Sequence, residues 1–121
     1  MRVTKLSECK EIIAGDKVRL RELVHPDRDS VFDGRYSIAH AVVAPGQSTI
    51  RHRLSNDEVY YIIEGCGKMH VDEECADLEP GDLVEIPPGA VQWIRNPGET
   101  DLVFLCIVDP AWRAEDEEIL E

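Results

Sequence analysis

Apolar residues along the chain fall in short runs, and many alternate with polar ones at a period of two, the repeat of a half-buried strand. The runs VRLREL (18–23), YSIAHAVVA (36–44), STIRHRL (48–54), VYYIIEG (59–65), KMHV (68–71), DLVEIP (82–87), VQWIRN (91–96) and LVFLCIV (102–108) are the candidate strands. Between them stand turn formers such as Pro45-Gly46, Ser55-Asn56-Asp57, Pro80-Gly81-Asp82, Pro87-Pro88-Gly89 and Asn96-Pro97-Gly98. Many short strands at near-regular spacing predict an all-β sandwich or barrel. Helical signals are confined to the ends. Residues 4–14 read as a turn or an edge strand, and the segment 111–121 after Asp109-Pro110 reads as a short C-terminal helix. On that helix Glu115–Glu118 would be solvated, with Trp112, Ile119 and Leu120 packed on the barrel or on a second subunit.

Length and charge narrow the class. The 121 residues make one domain spanning 1–121, and 13 basic against 25 acidic residues give a net charge of −12. That balance excludes a general nucleic-acid or anionic-membrane binder, both of which need clustered Lys and Arg. No apolar run approaches the ~20 residues of a membrane span, and the first residues lack the apolar core of a signal peptide. A soluble, cytoplasmic protein is expected. Cys9, Cys66, Cys75 and Cys106 are widely spaced, without a CxxC pair, and read as free thiols, two of them buried.

The candidate chemistry lies in residues 46–65. Alternation puts Ile50, His52 and Leu54 on one face and Arg51 and Arg53 on the other. Since Ile50 and Leu54 belong in a core, His52 points inward, and Arg51 and Arg53 face outward toward acidic partners. The same parity groups Glu58, Tyr60 and Ile62. If the strands flanking residues 55–57 pair as a hairpin, His52 and Glu58 face each other inside the barrel, as a metal site or an acid–base pair. His40 has the parity of Ile38 and Val42, and a hairpin through Pro45-Gly46 would bring it near His52. His25 and His70 sit beside charged and turn residues and are expected at the surface.

These residues resemble the two motifs of the cupin superfamily. Gly46, His52, Glu58 and Gly65 fall on the first motif, G-x5-H-x-H-x3-E-x6-G, with Leu54 in place of its second histidine. Gly81, Pro87, Gly89 and Asn96 fall on the second, G-x5-P-x-G-x2-H-x3-N, with Gln92 in place of its histidine. The resemblance implies a cupin-type jelly-roll β-barrel with motif 1 at 46–65 and motif 2 at 81–96. It also implies a small-molecule site inside the barrel, and a homodimer formed by sheet-to-sheet packing, for which Tyr61, Ile63 and Trp93 would supply an apolar outer face.

In cupins with full motifs, three imidazoles and a carboxylate hold a divalent transition metal. Here the matching positions supply His52, Glu58 and the neutral amide of Gln92, while Leu54 cannot ligate. A divalent Fe, Mn, Ni or Zn site is therefore weakened, and a harder ion is favoured. Three functions stay open. The first is a metal-dependent enzyme of dioxygenase, isomerase or lyase type, with His52, Glu58 and Gln92 as ligands. The second is a metal-free isomerase or cyclase in which His52, oriented by Glu58, moves a proton and Tyr60 assists. The third is a non-catalytic small-molecule-binding module. Each residue also has a plain structural role to set beside these: His52 as a buried partner of Glu58, Gln92 as a filler of hydrogen bonds, Tyr60 as core.

Overall fold

The period-two alternation resolves into two antiparallel sheets packed face to face. The computed structural model describes residues 1–15, 17–28 and 34–120. Its strands are β1 (Glu11–Ile13), β2 (Arg19–Val24), β3 (Ser37–Val43), β4 (His52–Leu54), β5 (Asp57–Glu64), β6 (Gly67–Val71), β7 (Glu74–Leu78), β8 (Leu83–Ile86), β9 (Gln92–Arg95), β10 (Leu102–Asp109) and β11 (Glu117–Ile119). One sheet runs β1-β2-β3-β10-β5-β8 and the other β11-β4-β9-β6-β7. After β3 the chain changes sheet at every connection except the β6–β7 hairpin. That is the jelly-roll arrangement, and with the described helices reduced to 3-10 turns the protein is all-β. No helix among the described residues is long and apolar enough to cross a membrane.

Ile62, Ile94, Leu102 and Phe104 fill one end of the space between the sheets and are almost completely buried. The turns bracketing that end need particular backbones. Gly65 has φ of +79°, and a Cβ there would lie 2.4 Å from the Asp101 carbonyl oxygen, so neither the conformation nor the space admits a side chain. Asn96, at the end of β9, donates from Nδ2 to the carbonyls of Val43 and Thr100 at 2.9 and 2.8 Å and accepts the Gly98 N–H at 2.9 Å.

Several expectations need correction. The C-terminal segment is not a helix: a 3-10 turn at Ala114–Asp116 leads into β11, which pairs with β4. Its acidic run continues the edge of a sheet, where Glu118 lies opposite Arg53 with a 3.8 Å ion pair. The run 48–54 is strand only at its end, with Ser48 forming an isolated bridge to Arg95. β7 shows no apolar face, because most of its residues are exposed on both sides of an edge strand. Residues 4–14 do hold an edge strand, β1.

His25 is buried, not exposed. Its Nε2–H donates to the Trp112 carbonyl at 2.6 Å while Nδ1 accepts the Asp27 N–H, which pins the C-terminal segment over β2. His70 stacks on Trp93 with ring centroids 4.2 Å apart, and the Arg51 guanidinium lies over the same indole. The four cysteines are free thiols, none fully buried.

Candidate functional site

The cavity exists because of a row of small residues. Ser37, Ala39 and Ala41 point inward from β3, directly opposite Val108, Cys106 and Phe104 on β10. Larger aliphatics at these positions would close the barrel. Instead the sheets enclose a cavity of about 250 Å³ walled mostly by apolar side chains, among them Leu20, Leu54, Phe104 and Val108. Its polar groups converge from both sheets: His52 from β4, Glu58 and Tyr60 from β5, and Cys106 from β10.

The expected grouping of His52 with Glu58 and Tyr60 is thus present, but not through the expected hairpin. β4 pairs with β9 and β11, whereas β5 pairs with β10 and β8 in the facing sheet. Asn56 holds this corner, donating to the Pro110 carbonyl at 2.7 Å. His52 and Glu58 therefore approach the cavity from opposite sheets. Both are buried, with 4% and 6% of their surface exposed.

His52 is oriented by its own strand. Its Nδ1 lies 2.8 Å from the Ile50 carbonyl, an acceptor, so Nδ1 carries the proton and Nε2 holds the lone pair in the neutral ring. Gln92 lies directly across β4–β9 from His52. Its Nε2 donates to Glu58 Oε1 at 2.6 Å, and its Oε1 accepts the Tyr60 hydroxyl at 3.1 Å. The second Glu58 oxygen accepts the Cys106 thiol at 2.9 Å. Cys106 was not foreseen as a site residue, since a cysteine inside LVFLCIV looks like core. The available signal was parity: it shares the inward face with Phe104 and Val108.

His40 stays out of the site. It pairs with Leu105 and Arg21 and points to the face opposite Ala39 and Ala41, outside the barrel. There, burial holds its pKa below the usual imidazole value, with Arg21 pushing the same way and Glu64 opposing.

The donor set does not fit a resident divalent metal. No group of three His, Cys, Asp or Glu side chains among the described residues is placed to hold an ion. The structure brings His52, Glu58 and Gln92 together, yet the Gln92 oxygen and both Glu58 oxygens are engaged by Tyr60, Gln92 and Cys106. Leu54, where the motif has its second histidine, is an apolar wall of the cavity. The site thus presents a buried imidazole and a hydrogen-bonded carboxylate. Such an arrangement can accept hydrogen bonds from a bound molecule and move a proton at His52 Nε2.

Comparison with known proteins gives the class. The cupin domain model matches residues 39–108, and the chain belongs to this family. An uncharacterised protein of Methanocaldococcus jannaschii is 38% identical over 98% of this chain and 94% of its own length. The oxalate-binding protein of Thermotoga maritima is 32% identical over 58% of this chain and 59% of its own length. Among solved structures, a cupin 2 conserved barrel domain protein from Salinispora arenicola superposes with a TM-score of 0.78 and 21% identity, covering 95% of this chain and 91% of that one.

Proposed function

We propose that this chain is a small-molecule-acting cupin whose ligand lies in the barrel cavity, held by hydrogen bonds to the His52–Glu58–Tyr60–Cys106 cluster and not by a metal. One observation carries the reading: a buried, tautomer-oriented imidazole and a buried carboxylate share a mostly apolar cavity of about 250 Å³. Burying such groups costs free energy that hydrogen bonds must offset, and buried titratable groups gathered in one cavity mark candidate functional sites. The chemistry that suits them is proton abstraction and return, as in an isomerase, lyase or cyclase. His52 would be the base, Glu58 and Tyr60 the groups that orient the ligand, and Gln92 the residue that positions both. A purely binding role would use the same contacts without the proton transfer. The Thermotoga relative is named for oxalate, but no Lys or Arg among the described residues lines the cavity here, so we do not carry that ligand over.

A thermal-shift screen of compact molecules, run beside the cavity-filled variant Ala39→Leu, tests the site. We expect molecules that stabilise the wild type and leave the variant unmoved. A screen whose every hit shifts both proteins equally contradicts the reading.

We also propose a homodimer formed through the outer face of the six-stranded sheet. Tyr61 and Leu83 are paired neighbours there, 41% and 56% exposed, with Ile63 beside them. Trp93, grouped with them from sequence, lies on the other sheet against His70. Light scattering should give twice the 13.7 kDa chain mass, and a single-chain mass contradicts the dimer. The four free thiols suit a reducing compartment, and on that ground we assign the protein to the cytoplasm.

A further inference from the structure

We infer that the cavity is built for an amphipathic molecule, one polar head on an apolar chain or ring. Its head sits beside Tyr60 and Cys106, and its tail lies against Ile12, Leu20 and Trp112. This rests on the reading of the cavity as a small-molecule site and adds the class of its ligand and the direction in which that ligand lies.

The inner face of the six-stranded sheet sets this polarity row by row. Cross-strand register aligns Ile12, Leu20, Ala41 and Phe104 in one inward row, and Glu22, Ala39, Cys106 and Tyr60 in the next. In both rows the smallest residue is the one on β3, so the open volume lies over β3, between two unlike flanks. The β10–β5 flank carries the polar side chains of Cys106, Tyr60 and Glu58. The β2–β1 flank presents Leu20 and Ile12 beside Glu22, whose carboxylate is ion-paired with Arg28. Strands β10 and β1 are three spacings apart in this sheet, roughly 14 Å between axes, so the space is long in this direction. Its volume of about 250 Å³ exceeds the roughly 150 Å³ that accommodates a benzene ring.

The two sheets also close on each other differently at the two flanks. Where β9 faces β5, Gln92 bridges them by donating to Glu58 at 2.6 Å and accepting from Tyr60 at 3.1 Å. At the opposite flank Gly15, just after β1, approaches β11, and a Cβ on it would lie 3.6 Å from the Ile119 side chain. That second closure is apolar, and it is also the wetter one. Ile12 and Trp112 line the cavity yet are 47% and 38% exposed. The Glu117 carboxylate at this rim is half-buried and accepts the Trp112 indole N–H at 2.6 Å. A tail lying between Ile12 and Trp112 would remove apolar surface from water, which favours binding in this direction.

n-Hexanol and the corresponding α,ω-diol, which differ only at the far end, test this on the full chain by NMR. Isotope-filtered NOEs should connect the hexanol methyl to Ile12 and Leu20, and its hydroxymethyl group to the Tyr60 ring. A second hydroxyl buried on the apolar flank costs affinity, so hexanol should bind about tenfold tighter than the diol. Ile12→Ser should weaken hexanol about fivefold and leave the diol nearly unchanged. Ala39→Leu should abolish binding of both. Hexanol lying the other way round, a diol that binds as tightly as hexanol, or equal weakening of both by Ile12→Ser overturns the amphipathic inference and leaves the cavity reading intact. Absence of any shift at cavity residues with either probe, or binding of both that survives Ala39→Leu, overturns the cavity reading and the inference with it. Should Ile12→Ser not fold, the NOEs and the affinity ratio in the wild type still decide the outcome.

Discussion

Asn96→Leu is expected to cost about 4 kcal/mol of folding stability, from roughly 1–3 kcal/mol for each buried polar group left without its partner. Asn96 is completely buried, and its one amide bonds three backbone groups in two separate stretches of chain. It donates to Val43 at the end of β3 and to Thr100 before β10, and it accepts from Gly98 in the intervening turn. Leucine has the same number of side-chain heavy atoms, but its methyls need more room than the amide, so some overpacking adds to the polar loss. Two backbone carbonyls and one N–H would remain desolvated with no partner from this side chain. A domain of this size has about 5–15 kcal/mol in total, so a loss of about 4 takes a large share of it. Urea denaturation measures the change directly. A midpoint within experimental scatter of the wild type would show that the chain re-satisfies these groups, and would remove Asn96 as the tie between the sheets.

Ala39→Leu is expected to act the other way, on binding and hardly on folding. Ala39 faces the cavity from the middle of β3, opposite Cys106. A leucine there would occupy the volume beside the Cys106–Glu58 hydrogen bond without removing any polar group. Burying the added carbons is favourable by about 0.8 kcal/mol per methylene, while imperfect fit costs about 1–3 kcal/mol, so the two nearly cancel. The ligand has no such compensation. We expect its affinity to fall by about a hundredfold or more, equivalent to roughly 2.7 kcal/mol, with the thermal midpoint shifted only slightly. Calorimetry with a ligand found by screening checks the first, and thermal denaturation the second. Unchanged affinity would place the ligand outside the barrel.

Much of this was legible in the chain because its signals are local. The spacing of Gly46, His52, Glu58 and Gly65, and of Gly81, Pro87, Gly89 and Asn96, follows from strand lengths and turn geometry, and those carried the fold. Parity put His52, Glu58 and Tyr60 inside. What sequence could not supply was which sheet the next strand joins. Ser55-Asn56-Asp57 reads as a hairpin turn, yet it is a corner between sheets, set by the Asn56 bond to Pro110 far along the chain. The same blindness to distant partners hid β11, a strand because β4 presents a free edge to it, whereas β7, paired with β6 across a tight hairpin, was hidden by its lack of an apolar face. Cys106 and His25 were misread for a related reason. Each owes its role to a residue at least 48 positions away, Glu58 in one case and Trp112 in the other.

The hydrogen bonds joining Glu58 to Gln92 and Cys106 are the core of the functional reading, because they engage the oxygens a metal would need. Elemental analysis of tag-free protein, incubated in turn with Fe, Mn, Ni and Zn and freed of excess ion, tests it beside His52→Ala. The account predicts far less than one equivalent of any metal per chain, with no difference between the two proteins. One equivalent in the wild type that disappears in His52→Ala would contradict it.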